Sequence, residues 1–306
     1  MAYASAYLKT HYLAAFTAAL LNNQPMGFYS PATVVKDAQR HGLKLLPIDV
    51  TRSEWKCSLE TINGALAVRL GLRYAKGLRE EAARAMLQAR WRAPFRSIDD
   101  LALRVPELRK NELALLAEIG ALNTICRYES NDPAHRRDAL WQIERAARRP
   151  GPLLEGIAEP DGPSPLAPMN DEERLLADFR GTGLTVGPHP MAYRRREMDR
   201  LGIRCARDLP RLPNGQRVRT AGAVIARQRP GTASGFVFLS LEDETGIANA
   251  IITPDLFEQH RLTLVSEQFL LIEGVLQNQD RVVSVKVDQL RPLYGIEAAA
   301  NSHDFH

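Results

Sequence analysis

The segment LGLRYAKGLREEAARAM, Leu70 to Met86, sets a Lys-Gly-apolar turn at the mouth of a helix. Such a turn aims backbone N–H groups at an anion, and the positive end of the helix adds to their pull. Gly77 permits close backbone approach, while Arg73 and Lys76 add point charge; Arg79 occupies the place where turns of this kind usually carry a second glycine. The order returns in LRKNELALLAEIGAL, Leu108 to Leu122, with Lys110 at a helix start and Gly120 at a short turn before a new apolar run. Each turn by itself is also an ordinary way of capping a helix. Two of them in one Arg-rich stretch suit a tandem helix-hairpin-helix clamp on duplex phosphate. The duplex candidates are therefore Arg73, Lys76, Gly77, Arg79, Lys110 and Gly120.

A second set of candidates lies near the C-terminus. ARQRPGTASG, Ala226 to Gly235, is a long Gly-rich loop carrying Arg227 and Arg229, and Phe236 and Phe238 follow at period-two spacing on one face. Basic loops beside stacking aromatics are how small barrels hold single strands. Arg227 and Arg229 are the stronger candidates. Phe236 and Phe238 are either stacking platforms or core residues, and core is the commoner use of phenylalanine.

Other residues offer less. Cys57, Cys126 and Cys205 are scattered, with no disulfide framework or zinc-ligand spacing, and read as free thiols. His189, between two prolines in GPHPM, has no companion at metal-ligand spacing and reads as a turn residue. The acidic run Glu242, Asp243, Glu244 reads as a strand end entering a turn. No phosphate loop, nucleophile elbow or zinc-protease helix occurs, so no catalytic residue and no metal site are expected. From Val68 to Arg149 there are 17 Lys or Arg against 11 Asp or Glu, a surplus of six, larger than the +4 of the whole chain. No run approaches the roughly 20 apolar residues that span a bilayer, and MAYASAYLKTHYLAAF is not a secretory signal; the expectation is a cytoplasmic protein without a membrane partner.

The elements that would position these residues fall into two styles. Ala4 to Asn23 reads as an amphipathic helix; Ser30 caps a second that opens on Pro31 and ends near His41-Gly42. Leu43 to Val50 and Ala65 to Leu70 read as extended. Helices follow over Arg79 to Arg92, Ser97 to Arg104 and Lys110 to Ile119, with Ser97 and Asp100 as a capped start. Arg149 to Asn170, with six prolines and three glycines, reads as a linker. Asn170 and Glu173 form a capping box for the next helix. Beyond Pro213 the periodicity turns to strands: Val218 to Ala226, Phe236 to Glu242, Ile247 to Ile252, Gln268 to Gln277 and Arg281 to Leu290, with a helix over Pro254 to Leu262. Five strands with a helix between the third and fourth match an OB-fold. The fold class is thus α+β and multidomain, a mostly helical N-terminal half followed by a five-stranded barrel.

Several phrases carry a family resemblance. AYLKTHYLAAFTAALLNNQPMGFYSPATVVKDAQRHGLKLLPIDV resembles the end of the fingers region of bacterial C-family DNA polymerases, in particular the error-prone branch related to the polymerase III alpha subunit. GLRYAKGL and LAEIGAL resemble its two hairpins. GTGLTVGPHPM resembles the approach to its OB domain, RQRPGTASGFVFLSLEDETGIANAII the OB strands, and HDFH the C-terminus of that branch. The resemblance implies six regions: the end of the fingers over 1–67, the tandem hairpins over 68–149, the linker over 150–170, a helical connector over 171–212, the OB-fold over 213–292 and a tail over 293–306. It implies a longer parent whose palm and PHP domains, with magnesium held for nucleotidyl transfer, are not in this chain; the chain is then a fragment, the product of a truncated gene or a mis-called start, inactive alone and without a cofactor of its own. The implied partners are primer–template duplex, single-stranded template, other proteins of a mutagenesis complex and, indirectly, the sliding clamp, with roles in replication, repair and translesion synthesis. The alternative is a non-catalytic protein-interaction module of the same complex.

Overall fold

The computed structural model describes residues 2–26, 29–126, 135–147, 164–279, 282–294 and 303–305. In chain order these form helices α1 (Ala2–His11), α2 (Leu13–Asn22) and α3 (Pro31–Arg40), then strands β1 (Lys44–Leu46), β2 (Ser58–Ile62) and β3 (Ala65–Arg69). Helices α4 (Glu80–Arg92), α5 (Ile98–Arg104), α6 (Lys110–Glu118), α7 (Arg136–Ala147) and α8 (Asp171–Thr182) follow, then the short α9 (Pro190–Tyr193) and α10 (Arg195–Arg200). Strands β4 (Arg217–Gln228), β5 (Val237–Glu242) and β6 (Ile247–Ile252) precede α11 (Pro254–Gln259) and α12 (Arg261–Ser266). β7 (Phe269–Gln279), β8 (Val282–Pro292) and β9 (His303–Phe305) complete the series. Most of the linker expected over Arg149 to Asn170 lies outside the described residues.

The chain divides into two compact units, and the division is not sequential. One unit takes Met1–Asn22 and Leu43–Gly183; the other takes Asn23–Gly42 and Leu184–His306. The stretch expected as a single region over 1–67 is therefore shared, because α3 packs with the second unit. Within that unit Lys36 Nζ donates to Gly187 O at 2.5 Å and Gln39 Nε2 to Val186 O at 2.7 Å.

In the first, helical unit β3 is the central strand, parallel to β1 and antiparallel to β2. The expected helix over Ala4 to Asn23 is α1 and α2, interrupted only at Tyr12, whose N–H still reaches Leu8 O at 2.8 Å. The Asn22 side chain exchanges two hydrogen bonds with the Cys57 backbone, at 2.9 and 2.7 Å, fastening the end of α2 beside β2. Leu21, Val68, Leu72, Met86, Leu101 and Leu116 are sealed from solvent and form the core. The expected caps are present: Ser97 Oγ accepts from Asp100 N at 3.1 Å, and Asn170 with Glu173 closes a reciprocal box at 2.8 and 2.9 Å. Caps of this kind stabilise a helix by about 1 kcal/mol each.

In the second unit the five long strands run β5-β6-β8-β7-β4, and β4 pairs back with β5, closing the barrel. β6 and β8 are parallel while the other long pairs are antiparallel. One strand can serve two neighbours because β4 changes partner along its length: Arg217–Ala223 pairs with β7 and Ala223–Gln228 with β5, with a bulge between Val224 and Ala226 that bends it. Alternation fills the interior with Val237, Leu239, Leu241, Ala250, Ile252 and Val285. β9 adds in parallel beside Ala226–Gln228. This is the OB layout that the strand spacing predicts.

Ser30 caps α3 as expected, its Oγ accepting from Thr33 N at 3.2 Å. His189 is a turn residue: it caps α9, with Nδ1 accepting from Met191 N at 3.2 Å. Asp243 closes the strand-end turn, its Oδ1 accepting from Thr245 N and Gly246 N at 2.7 and 2.9 Å. All three cysteines are free thiols, and burial pushes each above its ordinary pKa. Among the described residues no helix is long and apolar enough to cross a membrane.

Candidate nucleic-acid interface

The first hairpin runs from a one-turn 3-10 helix, Leu72–Tyr74, through Ala75-Lys76-Gly77 into α4. Gly77 holds φ +97°, and a Cβ there would meet nothing within 4 Å, so glycine serves the backbone angle and not a close packing contact. Lys76 and Gly77 are exposed, and the Gly77 N–H has no partner among the described residues. Lys76 also fixes the tip: its N–H donates to Gly181 O at 2.7 Å, and its Nζ approaches Phe179 O at 3.5 Å at the negative end of α8. Arg180, exposed on the same turn of α8, is a further cation here that hairpin spacing does not reveal.

The other expected duplex contacts are engaged within the fold. Arg73 Nη1 donates to Asn22 O at 2.7 Å. Arg79 forms a fork on Glu112: its Nε and Nη2 donate to Oε1 and Oε2 at 3.1 and 2.9 Å, and its own N–H donates to Oε1 at 2.9 Å. The anion at the entrance to α4 is thus a side chain of this chain. Burial alone would raise the Glu112 carboxyl, but the Arg79 fork and the N–H groups of Arg109 and Arg79 hold it below the usual carboxylate range. Lys110 Nζ pairs with Glu144 Oε2 at 2.8 Å on the surface.

The second turn has a different geometry from the first. Ala121 N donates to Leu116 O and Gly120 N to Ala117 O, at 2.8 and 2.9 Å, which is a Schellman end to α6. Gly120 has φ +78°, and Arg136 lies over it, with its Nε 2.9 Å from where a Cβ would stand. Arg136 in turn donates to Glu118 O at 3.0 Å and pairs with Asp178 at 2.7 Å. The glycine closes a helix beneath a guanidinium and is not an open phosphate cradle.

On the barrel, Arg227 is a strut: Nε donates to Leu264 O at 2.5 Å and Nη2 to Glu267 O at 2.7 Å, closing the end of α12. Arg229 remains half exposed, stacked 4.5 Å above the Phe257 ring and 3.8 Å from Glu258. Phe236 is half-buried where the loop ends. Phe238 is not a core residue: Val237, Leu239 and Leu241 take the interior positions of β5, so alternation turns Phe238 outward, where 38% of it is exposed.

Cross-strand register then sets a row on the outer wall. Phe238 is opposite Ile251, Ile251 opposite Lys286, Lys286 opposite Val275 and Val275 opposite Arg217. Lys286 is exposed, with no partner among the described residues. Arg217 pairs with Asp288 at 3.0 Å. Ile251 and Lys286 were not among the residues singled out from sequence; inside–outside alternation on β6 and β8 is the signal that marks them.

Among the described residues no group of three or more His, Cys, Asp or Glu could hold a metal ion.

Comparison with known proteins agrees with this architecture. The helix-hairpin-helix motif profile matches residues 42–131, taking in the three-stranded sheet, and the OB-fold nucleic acid binding domain profile matches residues 218–293. The chain is 42% identical to the error-prone DNA polymerase of Anaeromyxobacter sp. (strain K) over 315 aligned positions, which cover all of this chain and 27% of that protein. It is 42% identical to that of Azoarcus sp. (strain BH72), covering 29% of it, and 43% identical to that of Burkholderia pseudomallei (strain K96243), covering 28%. The chain therefore spans less than a third of the length of these relatives. Along its whole length it is a homologue of part of the bacterial error-prone DNA polymerases, and it carries a helix-hairpin-helix motif and an OB-fold domain.

Proposed function

We propose that this chain is the DNA-binding portion of an error-prone, translesion DNA polymerase, gripping primer–template duplex with its first hairpin and the template single strand with the outer wall of its barrel. The observation that carries the reading is the row from Phe238 through Ile251 to Lys286. An exposed ring, an aliphatic shelf and an unpaired ammonium on adjacent strands fit a base stacked on the wall with its phosphate beside the charge. Arg229 and Phe236 extend that surface into the loop. On the duplex side the reading rests on Lys76, the free Gly77 N–H and Arg180, which present two cations and a donor at one exposed tip. Arg73, Arg79 and Lys110 support that tip through the fold and do not touch phosphate.

The test is a titration of labelled primer–template and of single strand against the 306-residue chain at rising salt. Log affinity should fall linearly with log salt as counterions are released. Lys76→Ala should lower the slope on duplex, and Phe238→Ala should weaken single-strand binding with little effect on duplex. No binding of either at low salt would sink the reading and favour a protein-interaction module. The isolated chain is expected to give no primer extension, because nucleotidyl transfer needs a metal-holding carboxylate set; extension by the purified chain would overturn that part.

A further inference from the structure

Trp91 is the most exposed large apolar residue among those described, with 91% of its surface in solvent, at the last turn of α4. Leaving an indole in water forfeits the burial that usually makes tryptophan a core or interface residue. Its surroundings are built rather than incidental. A groove of about 490 Å³ runs beside it, lined by Glu54, Leu87, Gln88, Arg90 and Arg92. Arg90 forms a fixed wall: its guanidinium donates to Val50 O, Ser53 O and Glu54 Oε1 at 3.1, 2.7 and 2.5 Å. That pairing also neutralises Glu54, the one carboxylate lining the groove. Arg92 is exposed, with no partner among the described residues, and Arg96 is exposed just beyond the helix end.

We propose that this groove binds an unpaired base of single-stranded nucleic acid, with the ring stacked on Trp91, its edge facing the Gln88 amide and the flanking phosphates beside Arg92 and Arg96. An aromatic face is a sequence-tolerant platform for any base. A side-chain amide offers both a donor and an acceptor to a base edge. Two exposed cations beside a groove whose carboxylate is paired with Arg90 favour an anionic ligand over a neutral one, and the exposed indole beside them favours a nucleic-acid base over an acidic side chain. The site lies on the helical unit, one α4 length (about 17 Å at 1.5 Å per residue) from the Lys76–Gly77 tip, so it is separate from the proposed duplex contact. It rests on the proposed function only for the class of ligand.

Tryptophan emission gives a direct readout, because Trp55 and Trp141 are half-buried and Trp91 is exposed. Titrating the chain with a short oligodeoxythymidylate should quench emission saturably. The quench should vanish in Trp91→Phe and be absent with an abasic oligonucleotide of the same length. In a Phe238→Ala background, which removes the exposed ring of the barrel, Trp91→Ala should lower affinity for the oligonucleotide about fivefold or more. Replacing so exposed a side chain leaves the thermal unfolding curve unchanged, which separates loss of binding from loss of fold. A quench that persists in Trp91→Phe or appears equally with the abasic strand, or an affinity in the Phe238→Ala background that Trp91→Ala does not change, would overturn the site. Salt-sensitive binding that survives any of these results leaves the DNA-binding function standing without this groove. Failure of the native chain to bind any oligonucleotide at low salt removes both.

Discussion

Glu112 in the helical unit and Glu242 in the barrel unit are both almost sealed from water, at 1% and 3% exposure, yet their carboxyls move in opposite directions. Glu112 receives the Arg79 fork and two backbone N–H groups, and is held below its ordinary pKa despite its burial. Glu242 has Arg40 Nη1 at 2.8 Å and the neutral ring of His189 at 4.0 Å, and burial prevails, pushing it up to about 7. His189 is driven the other way, down to about 3, by burial and by the nearby charges of Lys36, Arg40 and Arg195. Burial alone does not set the charge of a glutamate; the number of donors aimed at it does.

The largest expected effect comes from removing the fully satisfied carboxylate. Glu112→Ala strips the acceptor from Arg79 and from two helix N-termini, and should cost about 3 kcal/mol in chemical denaturation of the helical unit. The native Glu112 contributes stability that is present above its ordinary pKa of 4.5 and lost as pH falls toward its lowered value.

The barrel unit should respond differently. Between pH 7 and 4.5 the folded state keeps Glu242 protonated while the unfolded chain does not, so stability rises as pH falls. Below pH 6.5 the unfolded chain protonates His189 while the folded state does not, so stability falls. The two offset, and the native barrel unit should be nearly flat from pH 6.5 to 4.5. Glu242→Gln removes one side of this balance, and stability should then drop by about 1.4 kcal/mol per pH unit across that window. Acid tolerance of Glu242→Gln equal to that of the native chain would show that the Glu242 and His189 titrations do not offset one another.

The hairpins should show smaller effects. Gly77→Ala should cost about 1 kcal/mol through its positive φ alone, since no neighbour obstructs a Cβ. Lys76→Ala should reduce the salt slope for duplex binding by about 1. The smallest expectation is for Lys110→Ala: its ion pair with Glu144 is exposed on both sides, and the unfolding midpoint should not move measurably.

Much of the fold was legible in the residues. Ser30, Ser97 and Asn170 cap their helices because a short oxygen-bearing side chain at that place has one dominant use. The five barrel strands follow from alternation bounded by turn residues. β2 escaped notice, although Asn63-Gly64, both left-handed, is a strong hairpin signal between Ile62 and Ala65. The fate of Arg73, Arg79, Arg227 and Gly120 was not legible, because each depends on a partner far along the chain: Asn22, Glu112, Leu264 and Arg136. The Glu112 cap escaped for a local reason as well, since Arg109 stands where a capping box would show Ser or Thr. The outward turn of Phe238 follows from alternation, because the aliphatic Val237, Leu239 and Leu241 take the interior positions of β5 and leave Phe238 on the other face.

The path of α3 carries a practical corollary. The barrel unit is discontinuous in sequence: it borrows Asn23–Gly42 from upstream and then resumes at Leu184. A dissection beginning at Leu184 would keep every strand and still be incomplete, since Arg40, the cation beside Glu242, and the contacts of Lys36 and Gln39 would stay on the other piece. Such a piece should regain native-like protection from protease only when a peptide covering Asn23–Gly42 is added, which makes α3 a removable keystone whose return can be followed by complementation.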